Sequence, residues 1–93
     1  PLLLTRNQKE SVFFYNVACV YGVSIDQLLM ETDTPERAMK LKMYQTKAMK
    51  FLYSAVHLGF GNARLLMSDP DLNSLHELPE FKKLSAKIME VEP

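Results

Sequence analysis

The sequence is poor in the residues that usually announce chemistry. Its 93 residues include one cysteine, Cys19, three glycines and two histidines, and 11 Lys and Arg balance 11 Asp and Glu. A lone cysteine cannot close an internal disulfide, and this usage points to a reducing, cytoplasmic setting. Gly59-Phe60-Gly61 lacks the further glycine, the lysine and the preceding strand of a phosphate loop. No CxxC, no HxxxH and no facing pair of carboxylates is present, so no metal and no cofactor is expected. A net charge of zero excludes a globally basic nucleic-acid binder. No unbroken apolar run reaches the roughly 18 residues of a bilayer span, and no membrane role is expected. Pro1 to Leu4 lack the charged start and cleavage site of a signal peptide. A chain opening on proline reads as a C-terminal piece of a longer protein. What is present is ordinary for one globular domain over residues 1–93: 47% hydrophobic and 24% charged.

The clearest periodicity lies between Pro35 and Leu58. Leu41, Tyr44, Ala48, Phe51, Leu52, Ala55 and Leu58 fall on one broad helical face, with Lys42, Thr46, Lys50 and Tyr53 opposite. Asp33 or Thr34 can cap the start, Pro35 suits the first turn, and Gly59 signals the end. A second helix is predicted over about Asn7–Tyr21, with Asn7 as cap and Glu10 as its capping-box partner. It is apolar nearly all round. Phe14, Val17, Ala18 and Tyr21 make one stripe, and Val12, Tyr15 and Cys19 make another. A buried strand is the rival reading, set aside on length. Gly22-Val23-Ser24 either breaks this helix, with Ser24 capping a short turn, or the helix runs on to Met30. Beyond Gly59 the pattern predicts turns of helix at Asn62–Met67, a piece capped by Asp69-Pro70-Asp71 through Leu75, and a final helix over Pro79–Val91. In the last, Phe81, Leu84, Ile88 and Val91 share a face. No segment alternates with period two, so the predicted fold class is all-α.

Two stretches resemble the tetratricopeptide repeat family. Its first helix takes a large, a branched apolar, a small and an aromatic residue, as at Phe14, Val17, Ala18 and Tyr21. Its second takes small, large and small, as at Ala48, Leu52 and Ala55. Small residues let two helices approach closely, and large ones fill the groove beside them. The block Gly59-Phe60-Gly61-Asn62-Ala63, Ser68-Asp69-Pro70-Asp71-Leu72, Leu78-Pro79-Glu80-Phe81 is similar to the ending of many bacterial arrays of this family. The resemblance implies an antiparallel helix pair, short helices and a C-terminal capping helix that closes a stack. The stretch between Tyr21 and Ala48 exceeds the family's short turn by about 18 residues, which lengthen both helices or form an inserted loop. Only one helix pair is recognisable, whereas roughly three repeats make a stable array. Pro1 to Leu4 could then be the remnant of a preceding helix.

The resemblance implies a non-catalytic protein–protein interaction module, a scaffold rather than an enzyme. No acid, base and nucleophile set emerges from the residues themselves. The Val12, Tyr15 and Cys19 stripe is expected to meet a preceding repeat, a protein or peptide partner, or a second copy of the chain. Asn16 matches the position where peptide-binding repeats place an asparagine against a ligand's backbone, although a bond within the repeat is the plainer alternative. From Arg37 to Ser68 there are six basic residues and no acid, and Lys40, Lys47 and Lys50 share one helix side. Such a stripe is usually a solvated face, and it can also steer an acidic partner. Tyr53 and His57 sit on the outer face beside it. A regulatory accessory domain of a larger enzyme, such as a serine/threonine kinase, is one alternative. A nucleic-acid binder using the basic stripe ranks below it.

Overall fold

The computed structural model describes residues 6–91. Four α-helices run through them: α1 (Arg6–Leu29), α2 (Pro35–His57), α3 (Ala63–Ser68) and α4 (Pro79–Val91). A 3-10 helix, Pro70–Leu75, joins α3 to α4, and no strand occurs among the described residues. The fold is all-α. Pro1 to Leu4, the expected remnant of an earlier helix, lie outside the described residues.

Each boundary of α2 has a local cause. Thr34 is the N-cap, its side chain accepting from the Arg37 amide at 3.1 Å. Asp33 does not cap; it pairs instead with the Arg37 guanidinium at 3.4 Å. At the other end Gly59 takes φ 115°, a left-handed conformation that glycine reaches without strain. The Phe60 amide then donates to the Ala55 carbonyl and the Gly59 amide to Val56, each at 3.0 Å. These two bonds satisfy carbonyls that the helix end would leave orphaned.

α1 is longer than the 7–21 segment. Asn7 lies inside it rather than at its cap, and Glu10 pairs with Arg6 at 3.2 Å. Gly22 does not break it, and the Ser24 hydroxyl donates back to the Val20 carbonyl at 2.8 Å instead of capping a new turn. The glycine has a tertiary cause. A Cβ built on Gly22 would lie 2.1 Å from the Asp71 carbonyl oxygen, so only glycine lets the 3-10 helix rest directly on α1. Ser74 secures that approach by donating to the Gly22 carbonyl at 3.3 Å. The residues that separate this chain from the family's short turn therefore lengthen both helices, and the loop between them is brief. Arg37, in the first turn of α2, braces this loop. Its guanidinium, with the side chain only 17% exposed, donates to the carbonyls of Leu29 and Glu31. It closes the end of α1 and is no part of a free basic surface.

α1 and α2 lie side by side in opposite directions. Ser11 donates to the Ala55 carbonyl at 3.0 Å, Phe14 meets Phe51 and Tyr21 meets Tyr44, so numbers rise on one helix as they fall on the other. Ala18, Ala48 and Ala55 are fully buried, as close helix approach requires. Leu66, Leu72, Leu75, Phe81, Leu84 and Ile88 from the trailing elements complete one continuous core with Tyr15, Cys19, Ile25 and Leu52.

Candidate interaction surface

The trailing block is fastened to α1 through Asp69. One carboxylate oxygen accepts from the Asp71 amide at 3.0 Å, which caps the 3-10 helix. The other accepts from the Tyr15 hydroxyl at 2.6 Å, with the Cys19 sulfur 3.7 Å away. Phe60 stacks on the Tyr15 ring at 4.5 Å. Burial works to raise the Asp69 carboxyl, but hydrogen bonds from Tyr15, the Asp71 amide and Cys19 outweigh it and leave it below its ordinary value. Burial, then the Asp69 charge and hydrogen bond, push the Cys19 thiol up to about 12. Burial and the hydrogen bond to Asp69 likewise push the Tyr15 hydroxyl well above its usual range.

This arrangement corrects the expectation for the Val12, Tyr15 and Cys19 stripe. Tyr15 and Cys19 are buried under the chain's own C-terminal segments, and of the three only Val12, 46% exposed, faces outward. Cys19, Asp69 and Asp71 can bring one ligand atom each within 4.8 Å of one another. The chemistry does not favour a metal there. A thiol raised by burial resists becoming the thiolate that binds metal, and both Asp69 oxygens already accept hydrogen bonds.

The opposite flank of the helix pair is only partly covered. Phe13, Phe14, Phe51, Tyr21 and Tyr44 form a continuous run of rings along the α1–α2 seam, with successive centroids 5.5, 5.8, 6.0 and 5.7 Å apart. Phe14 and Tyr21 point away from Cys19, by the 100° per residue of a helix. They therefore lie off the side that the 3-10 helix covers. Phe13 is 61% exposed and the nearby Val20 64%, while the other four rings are half-buried. Lys40 and Lys47 stand one helical turn from Tyr44 and from Tyr44 and Phe51, exposed, with no ion pair to either among the described residues. The strip thus has an aromatic centre and a basic edge. The sequence places Phe14 and Tyr21 on one stripe of α1 but does not reveal that they join Phe51 and Tyr44 in a single run of rings.

The remaining candidates line grooves. Lys50 and Tyr53, with Lys42, Met49 and the head of α4 at Leu78–Glu80, border a groove of about 470 Å³. Tyr53 and His57 border a second, of about 360 Å³, with Phe14 and Leu58. Asn16 is exposed and lines a third, of about 460 Å³, with Val20, Val23, Gln27 and Asp71. Phe14 links the His57 groove to the strip, whereas Lys50 lies toward α4. Lys40, Lys47 and Lys50 are all exposed on α2, and Lys50 also borders the groove toward α4.

α1 is long and apolar enough, at a mean hydropathy of 1.4 over an 18-residue window, to cross a membrane by length and composition. In this fold the helix spends Tyr15, Ala18, Cys19, Ile25 and Leu28 on the protein core. The class defined by fold and surface is an all-α domain with a partly exposed aromatic flank. No protein-family model, curated protein or solved structure matches the chain.

Proposed function

We propose that this domain is a non-catalytic protein-interaction module, acting as the closing unit of a tetratricopeptide-like helical stack in the cytoplasm. The observation that carries the reading is the run of five rings left half-open along the α1–α2 seam. Aromatic side chains bring large contact area at low entropic cost, and they dominate the centres of protein interfaces. The chain's own 3-10 helix and α4 cover part of the other flank, which supports an end unit; the aromatic flank would receive the preceding helices or a helical partner. Buried Ala18, Ala48 and Ala55 support the likeness to that family's helix pair. Lys40 and Lys47 at the edge would favour a partner with acidic residues there.

The test is capture of protein from source-cell extract on the wild-type chain and on a Phe13→Glu variant. The Phe13 side chain is mostly exposed, so the variant should keep its helix content. A partner retained by the wild type and lost by the variant supports the proposal. The same partners on both would overturn it.

A further inference from the structure

The outward face of α1 carries a second pattern. Phe13, Asn16, Val20, Val23, Gln27 and Met30 follow one another at steps of three and four residues, and every one of them is exposed. Alternating steps of this kind mark the seam by which one helix lies along another. At 100° per residue the line falls opposite Ala18 and Ile25, which α1 turns into the core, so it runs along the far side of the helix. No charged residue occurs between Glu10 and Asp26. The line itself meets charge at its two ends, with Lys9 one turn before Phe13 and Glu31 just after Met30. Both are exposed, and neither forms an ion pair among the described residues. Asn16, Val20, Val23 and Gln27 also border the groove of about 460 Å³, which gives the line a shallow bed.

We infer that this seam joins two copies of the chain, α1 against α1, in an antiparallel twofold dimer. With the axis between Tyr21 and Gly22, every residue of the line meets another member of it. Val20 meets Val23, Asn16 meets Gln27 and Phe13 meets Met30, each pair occurring twice. Each amide holds a donor and an acceptor, so Asn16 and Gln27 satisfy one another, and a polar pair inside such a seam fixes its register. The same register brings Lys9 of one copy within about one helical turn of Glu31 of the other, at both ends. A parallel pair would set Lys9 against Lys9 and Glu31 against Glu31. A lipid surface fits the line less well. Asn16 and Gln27 would enter it unpaired, and no lysine or arginine lies between Lys9 and Arg37 to flank it. The seam is about 26 Å long and about 10 Å wide, at the low end for a specific interface, so a dissociation constant of about 10–100 µM is expected. Phe13 also borders the aromatic strip, but the dimer does not depend on what that strip binds.

The experiment is analytical sedimentation of the chain from about 5 µM to about 1 mM. The mean mass is expected to rise from 10.7 kDa toward twice that value. Val20→Glu sets two carboxylates beside the valines at the axis and should stay monomeric throughout. Val20 is mostly exposed, so circular dichroism should show unchanged helix content. Lys47→Glu, at the edge of the aromatic strip, should dimerise as the wild type does. Lys9→Glu should weaken the dimer several-fold, and adding Glu31→Lys should restore it, because the swap rebuilds an opposite-charge contact at each end. A chain that stays monomeric at about 1 mM would overturn the inference, and so would one that partitions as a monomer onto phosphatidylcholine vesicles. A dimer that survives Val20→Glu, disappears in Lys47→Glu, or is not restored by the charge swap would overturn it equally.

Discussion

Asp69 accepts from the Asp71 amide with one oxygen and from Tyr15 with the other, so a single carboxylate both caps the 3-10 helix and ties it to α1. Hydrogen bonds to a charged acceptor are worth more than neutral ones, and a lost cap adds to the cost. Asp69→Ala should therefore destabilise the domain by about 2–3 kcal/mol, measured by urea unfolding at neutral pH. The same cluster sets the pH limits. Asp69 is held below its ordinary value of 3.8, so its contribution is complete at neutral pH and disappears as pH falls below that value. Cys19 behaves in the opposite sense. Its thiol ionises near 9.0 when unfolded and about 12 when folded, so it stabilises fully below 9.0 and progressively less as pH rises toward 12. Tyr15 is raised too and steepens that alkaline loss. Unfolding at pH 7 and pH 10 should show the loss, and Cys19→Ser should shrink it.

At the scale of the element, the approach of the 3-10 helix to α1 depends on Gly22. Gly22→Ala puts a methyl group into the Asp71 carbonyl, which must move. The expected cost is about 1–3 kcal/mol, the range for overpacking a filled site, read as a lowered urea midpoint. Cys19 lies beneath the same segment, so its labelling by a thiol reagent should accelerate in that variant. This element also shows where sequence reading succeeds and where it stops. The ends of α2, and the final helix Pro79–Val91, were legible because their signals are local: a capping threonine, a proline in the first turn, a left-handed glycine. The sequence around Gly22 leaves open a break or a helix running on to Met30, and the helix runs on to Leu29; the reason for the glycine lies 49 positions away in the chain, at Asp71. Tyr15 and Cys19 read as an outward stripe for the same reason: nothing local reveals that Phe60 and Asp69 fold back over them. The chemical types of Lys40, Lys47, Tyr53 and His57 were visible, but the grooves they border were not.

The whole molecule is a flattened slab of 47 × 26 × 18 Å with a radius of gyration of 14.0 Å. A typical compact domain of this length would have a radius of about 12 Å. Two packed helices, with axes about 8–10 Å apart, account for the thin dimension. A slab covered on one flank by its own short helices has little material left for the other, and the aromatic strip is the result. Binding there should weaken with salt through Lys40 and Lys47. A Lys40→Glu, Lys47→Glu variant should lower partner affinity several-fold at low ionic strength and much less at high, measured by calorimetry, because exposed charges are screened beyond about 10 Å at 0.1 M salt.

The most direct test of the strip as a docking surface is photo-crosslinking in source cells. A benzophenone amino acid placed at Phe13 keeps an aromatic body in the strip, and the same group at Lys87 on exposed α4 serves as the comparison. A discrete protein adduct is expected from position 13 and none of that species from position 87. The same adducts from both positions, or none from position 13, would contradict it.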